Sequence, residues 1–428
     1  MSFRSFKSLR RYPVPELVNE PKEPKISRKG AKKRRKTMNQ PKVLRIFNRY
    51  QQYGGEERTV RQIGDALAGL VSATEFEHSS NELLSGSLLK RAQAPFNVIY
   101  NYQILDRLRR LQHQHRFDAW EIHNTFPAFS PAVYDAALEL GVRVIQYLHN
   151  YRFSCVNGMF LNQGEPCFRC ISGSFWAAFL TACWRSNRWA SGVAGIALTR
   201  LRRLFSSINI WVAISEAQKL RHVEMGIPSE RIRVIPHFLD APIDVSPNVP
   251  EDGYFLFLGR LSPEKGLFQL LHGWRLLKAG TVKLVIAGDG PERSQLENLC
   301  REHGLKNVEF RGYVTARDQN ALWQGARALI VPSIWEEPFG LVVLEAWAHG
   351  RPALVANRGG LPEIVTDSAA RFSLDHPEDI AAILDRYCTN SQDLSRMASE
   401  GLGRLRQHYS RAVWLSRISE VYREALAS

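Results

Sequence analysis

The sequence predicts an α/β protein built from two doubly wound domains, each a parallel sheet covered by helices, that face one another across a cleft. Three observations predict it. Short β-rich runs alternate with amphipathic helical stretches from Pro41 to the C-terminus. A proline-containing, acidic stretch without periodicity, Phe238 to Gly253, splits that alternation into two series. Nothing repeats at a short fixed period, which excludes solenoids and propellers.

In the first series, strands are expected at Val43 to Asn48, Ala119 to His123, Arg143 to Leu148, Trp211 to Ile214 and Ile232 to Ile235. Helices are expected at Glu57 to Leu70, Pro131 to Leu140 and Glu216 to Met225. The second series supplies strands at Tyr254 to Leu258, Lys283 to Ala287, Val308 to Phe310, Ala328 to Val331, Pro352 to Ala356 and Arg371 to Ser373. Between them lie helical segments such as Leu267 to Lys278 and Glu292 to His303. The expected organisation is a basic disordered tail over 1–40, an N-terminal domain over 41–240 with a cysteine-containing insert over 150–205, and a C-terminal domain over 250–409. A last helix over 410–428 carries Val413, Ile418, Val421 and Leu426, which need a partner surface.

Composition bounds the function. The chain has 428 residues, 44% apolar and 23% charged, which are globular proportions, and carries a formal charge of +15. The first forty residues hold 13 Lys and Arg against 3 acidic residues, so most of the excess sits in a tail without the apolar periodicity that buries a face. Nucleic acid is therefore not the expected partner. Six sparse cysteines do not form a secreted disulfide pattern, and the N-terminus lacks the apolar core of a secretory signal. A reducing, cytoplasmic location is expected, with the inner face of a membrane as the alternative site of residence.

The densest chemistry lies between Pro332 and Ala346, a loop after a strand that opens a helix. Ligands of doubly wound sheets sit beyond the carboxyl ends of strands, near free helix N–H groups. Glu337 and Glu345 flank a Pro-Phe-Gly turn there, and carboxylates suit the chelation of sugar or ribose hydroxyls. Arg260 and Lys265, five residues apart in an earlier loop, can place two cations on a diphosphate and stabilise its growing charge. No Asp-x-Asp triplet occurs. Gly54 and Gly55 lie between the first strand and helix, where glycine permits close backbone approach. His149, at the end of a strand, faces the expected cleft, as does His123-Asn124 on the strand before it; a core or capping histidine is the alternative for both.

Glu337 and Glu345, with seven residues between them, resemble the E-x7-E element of retaining family 4 glycosyltransferases, whose GT-B fold consists of two Rossmann-like domains. Gly259 to Gly266 resembles that family's G-R-x-x-x-x-K-G loop, Gly288 to Pro291 its G-x-G-P turn, and Gly359 to Glu363 the segment closing the nucleotide pocket. The resemblance implies a nucleotide diphosphate sugar donor bound through Gly54, Gly55, Arg260, Lys265, Gly288, Glu337, Phe339, Gly340, Leu341 and Glu345. It implies catalytic roles for His149, Glu337, Arg260 and Lys265, a saccharide or lipid-linked acceptor, and no cofactor for catalysis. In particular, Glu337 would orient sugar hydroxyls, Glu345 the ribose, and His149 the transferred sugar. Similarity to enzymes of cell-surface polysaccharide synthesis extends to the segment beginning His149-Asn150.

Cys155, Cys167, Cys170 and Cys183 form a C-x2-C pair with an outer cysteine on each side, a set able to assemble a tetrahedral structural Zn2+ site; buried unliganded thiols are the alternative. Just beyond them, Trp176, Trp184, Trp189 and a run of leucines interleave with Arg185, Arg188, Arg200, Arg202 and Arg203. That pattern fits peripheral contact with an anionic membrane, and equally a helix covering its own domain. Two further readings stay open on sequence: a GT-B nucleotide-sugar epimerase or phosphorylase, and a non-catalytic membrane- or nucleic-acid-binding protein.

Overall fold

A computed structural model describes residues 40–49, 55–79, 88–242, 245–278 and 282–427. The basic tail and Gly54 lie outside the described residues. The first half runs β1 (Lys42–Arg49), α1 (Gly55–Leu67), β2 (Ser72–Ser79), α2 (Leu88–Ile99), α3 (Tyr102–His115), β3 (Ala119–Asn124), α4 (Ala132–Glu139) and β4 (Arg143–Tyr147). It continues through a small hairpin, β5 (Leu161–Asn162) and β6 (Glu165–Pro166), then α5 (Trp176–Thr181), α6 (Arg188–Arg202), β7 (Ile210–Ala213), α7 (Glu216–Glu224) and β8 (Ile232–Val234).

The second half runs β9 (Tyr254–Leu258), α8 (Leu267–Trp274), β10 (Leu284–Ala287), α9 (Arg293–Glu302), β11 (Val308–Gly312), α10 (Ala316–Gly325), β12 (Ala326–Val331) and α11 (Leu341–Ala348). It ends with β13 (Ala353–Ala356), α12 (Leu361–Ile364), β14 (Arg371–Phe372), α13 (Pro377–Cys388), α14 (Ser391–His408) and α15 (Arg411–Ala427).

Each half builds one six-stranded parallel sheet, in the orders β2-β1-β3-β4-β7-β8 and β11-β10-β9-β12-β13-β14. Central strands such as β3, β12 and β13 are buried along their whole length, as a sheet covered on both faces requires. The strand order reverses between β1 and β3 in the first sheet and between β9 and β12 in the second. Those switch points open the crevices where doubly wound folds bind ligands.

The last helix does not stay with the C-terminal half. Trp414, Ile418, Val421, Tyr422 and Ala425 of α15 pack into one apolar cluster with Ile63 and Leu67 of α1 and with Val43, Ile145, Tyr147, Ile210 and Val212 of the first sheet. Val413 and Leu426, expected among its buried residues, are only partly covered, while the aromatic Trp414 and Tyr422 take the central positions. Burying a side chain of that size contributes roughly 2–3 kcal/mol, so α15 is a structural part of the N-terminal sheet's cover.

Candidate active site

On the C-terminal side, the loop after β9 carries Arg260 and Lys265, and the loop after β12 carries Glu337. Lys265 Nζ lies 2.9 Å from Glu337 Oε2 and 5.3 Å from the centre of the Trp335 ring. Ser333 Oγ and Trp335 Nε1 also donate to that carboxylate, at 2.9 and 3.0 Å. Glu337 is thus buried and held by three donors, whereas Arg260 is exposed at the end of its strand. The expectation sets Arg260 and Lys265 together on a diphosphate, and Lys265 is here also the partner of Glu337.

The turns that hold these side chains need glycine. A Cβ on Gly288 (φ +144°) would lie 1.7 Å from the carbonyl oxygen of Gly259, and one on Gly266 (φ +70°) 1.9 Å from that of Pro332. The loops after β9, β10 and β12 are therefore in backbone contact. Gly360 N–H donates to Glu337 O at 2.7 Å, which ties the Gly-Gly-Leu-Pro segment to the same loop. Gly340 (φ +107°) precedes α11, Leu341 begins it, and Phe339 is buried with its ring edge-on to His237 at 5.4 Å.

On the N-terminal side, His149 follows β4. Its Nε2 lies 2.9 Å from His123 Nδ1, and its ring stacks on those of His237 and Tyr147. Burial, with His123 and His237 nearby, holds His149 well below the usual imidazole value. Behind His123 stands Glu121, whose carboxylate meets His123 Nε2 at 2.6 Å, the Arg45 guanidinium at 2.7 and 3.1 Å, and the Tyr422 hydroxyl at 2.6 Å. Burial opposes its charge, but Arg45 and His123 outweigh that and hold the carboxyl well below the ordinary range. His149, Asn150, His123, Asn124 and Arg152 line a small cavity together with Phe126, Phe153, Leu198 and Leu201.

Gly55 opens α1, and the next residue, Glu56, accepts from Asn150 Nδ2 at 3.0 Å. Burial pushes the Glu56 carboxyl up to about 7, against the pull of Arg152 and Asn150.

Several bonds join the halves around this crevice. Arg58 of α1 pairs with Glu345 of α11 at 3.0 Å, and burial raises the Glu345 carboxyl despite that partner. Glu363 accepts from the backbone N–H groups of Glu216 and Ala217 at 2.8 and 2.6 Å, capping α7 from the opposite domain. Arg221 of α7 reaches Glu336 at 3.4 Å.

The expected zinc site is not formed. Among the described residues no group of three or more His, Cys, Asp or Glu side chains is arranged to hold a metal ion, and Cys155, Cys167, Cys170 and Cys183 are free thiols. Cys155 Sγ donates to Asn157 Oδ1 at 3.0 Å. Burial first, then the neighbouring cysteines, push Cys170 up to about 12 and Cys183 up to about 11. The Trp/Arg segment divides: Trp184 packs against Phe126, while Trp176 and Trp189 are 63% and 78% exposed. Among the described residues no helix is long and apolar enough to cross a membrane.

Sequence reasoning missed Arg45, Glu121, His237, Tyr422, Glu56 and Arg58. A signal existed for Glu121: it alternates with His123 on one face of a strand whose every residue is buried, where polar side chains need partners.

Two parallel doubly wound domains with loops converging at both switch points define a GT-B architecture. A profile described as Glycosyltransferase Family 4 matches residues 53–241, and one described as Glycosyl transferases group 1 matches residues 242–403. The chain belongs to this glycosyltransferase family. It is 37% identical over 144 residues to an uncharacterized glycosyltransferase of Methanocaldococcus jannaschii, and 33% identical over 147 residues to O-antigen chain mannosyltransferase B of Escherichia coli. Each match covers 33% of this chain and 37% of the relative. The crystal structure of Anabaena HepE in complex with UDP and glucose superposes with a TM-score of 0.62 at 18% identity, covering 90% of this chain and 99% of that one.

Proposed function

We propose that the chain transfers a sugar from a nucleotide diphosphate sugar, held mainly by the C-terminal domain, to a saccharide or lipid-linked acceptor on the N-terminal domain, with retention of anomeric configuration. The observation that carries this reading is the pairing of Lys265 with Glu337 at one switch point, with exposed Arg260 on the same loop as Lys265 and His149 reached through His237 and Phe339. The UDP and glucose in HepE support a donor of this class.

Arg260 and Lys265 hold the diphosphate and stabilise the charge that grows on it as the glycosidic bond breaks, the task a divalent metal performs elsewhere. When the phosphate draws Lys265 toward it, Ser333 and Trp335 still hold Glu337, whose free lone pairs orient sugar hydroxyls. Glu345 takes the ribose, exchanging Arg58 for its hydroxyls. The leaving diphosphate oxygen accepts the proton of the acceptor hydroxyl on the same face, so no separate protein base is assigned. Exposed Trp176, Leu180, Trp189 and Ile196 with Arg185 and Arg188 suit contact with the inner face of an anionic membrane.

A thermal-shift screen against UDP-, GDP-, ADP- and dTDP-sugars tests the donor class. Selective stabilisation by one nucleotide series is expected, because a ligand bound only by the folded state raises its melting temperature. No shift with any of the four rejects the reading.

A further inference from the structure

We infer that Glu121 and His123 form a buried relay that fixes the tautomer of His149, leaving its Nδ1 as a hydrogen-bond acceptor for a hydroxyl of the bound sugar. The inference rests on the donor reading above for the identity of the sugar, but the relay itself stands on geometry.

The chain of constraints begins at Glu121. Its carboxylate accepts from Arg45 and from the Tyr422 hydroxyl, and it lies 2.6 Å from His123 Nε2. Two bare acceptors at that separation repel, so His123 Nε2 carries its hydrogen and donates. Arg45 already balances the charge of Glu121; a second cation on buried His123 would be uncompensated, and the ring is therefore neutral. A neutral ring with hydrogen on Nε2 has a bare Nδ1.

That bare nitrogen lies 2.9 Å from His149 Nε2, which must then be the donor. His149 stacks with Tyr147 and His237 and has no carboxylate hydrogen-bonded to it among the described residues, so it too is neutral and its Nδ1 is bare. This Nδ1 is shielded from water and has no partner among the described residues. A buried acceptor without a partner costs about 1–3 kcal/mol, and a hydroxyl donor supplied by a ligand recovers it. An unconstrained histidine would divide its population between two tautomers, only one of which accepts there. Glu121 and His123 are positioning residues: neither needs to touch the sugar.

Tyr422 extends the relay to the last helix. Its hydroxyl is one of the donors that hold Glu121, so the C-terminal segment reaches the site through a side chain in the N-terminal sheet.

Two-bond 15N–1H spectra of the histidine rings in the full chain test the relay without any ligand, with His149→Gln supplying the assignment. His149 is expected with hydrogen on Nε2 and none on Nδ1, and His123→Phe is expected to release that preference into a mixture. Hydrogen on Nδ1 of His149 in the wild type overturns the proposal, as does an unchanged tautomer in His123→Phe. If that variant does not fold, the wild-type spectrum still decides.

Calorimetry with UDP and UDP-glucose then reads the consequence. His123→Phe is expected to weaken UDP-glucose by about 2- to 3-fold, the inverse of the fraction left in the accepting tautomer, and to leave UDP unchanged. Equal binding of UDP-glucose by both proteins overturns the sugar contact. Failure of the wild type to bind either ligand overturns the donor reading, while the spectra continue to judge the relay.

Discussion

The ammonium of Lys265 has two possible partners, Glu337 and the diphosphate of a donor, and its value to the reaction is the difference between them. It is neutralised by Glu337 at 2.9 Å, so on the proposed reading its charge is masked until a phosphate competes for it. Lys265→Ala is expected to lower turnover by roughly 100-fold, the loss typical of one removed charge stabiliser, and wild-type transfer is expected to persist in EDTA; initial-rate assays of both decide. Glu56 makes a second residue-scale case. Its carboxyl binds a proton more tightly in the folded chain, about 7 against 4.5, so between those values the folded state holds more protons than the unfolded one. Its contribution to stability therefore falls as pH rises through that window. Melting temperatures measured from pH 4.5 to 7 should decline less steeply in Glu56→Gln.

At the scale of elements, α7 shows how one half finishes the other. Ser215 caps its first turn from within, accepting from Gln218 N–H, but the N–H groups of Glu216 and Ala217 donate to Glu363 from the second domain. Glu363→Ala is expected to weaken that turn by about 1 kcal/mol, read as roughly fivefold faster hydrogen exchange at Glu216 and Ala217. Pattern reading found the interior strands because their apolar runs are unbroken, and it missed β2, Ser72–Ser79. An edge strand with mostly exposed residues carries no such run: only Phe76 is fully buried there. Helix α6 was legible as an amphipathic Trp/Arg stretch, yet not which face was covered. Leu198 and Leu201 face the cavity beside His149, and Trp189 and Ile196 face solvent.

For the whole molecule, the arrangement of carboxylates bears on stereochemistry. Glu337 and Glu345 belong to the C-terminal half, and the polar groups lining the cavity beside His149 are His, Asn, Arg, Thr and Ser, with no carboxylate among its lining residues. On the proposed reading attack occurs on the same face with the diphosphate as base, and an α-linked donor should give an α-linked product. The coupling constant of the new anomeric proton measures it, and a β product would reject retention. Membrane contact is tested separately. Trp176→Ser with Trp189→Ser should abolish sedimentation with phosphatidylserine vesicles while leaving the thermal shift by donor unchanged, since these side chains lie on exposed helix faces.

Local order along the chain determined the two doubly wound halves, the break between them and the loops at the switch points, because strand and helix periodicity and turn glycines are properties of neighbouring residues. The same local reading gathered Arg260, Lys265, Glu337 and His149 as a set. Only the tertiary structure decided their pairing. Lys265 is 72 residues from Glu337, Arg58 is 287 from Glu345, and Tyr422 is 301 from Glu121. Such partnerships depend on which loops and helices converge when the sheets pack, and no spacing records that. Cysteine spacing gave the reverse case: four residues at intervals suited to a metal site fold as free, buried or half-buried thiols, because tetrahedral geometry is set by backbone placement and not by intervals along the chain.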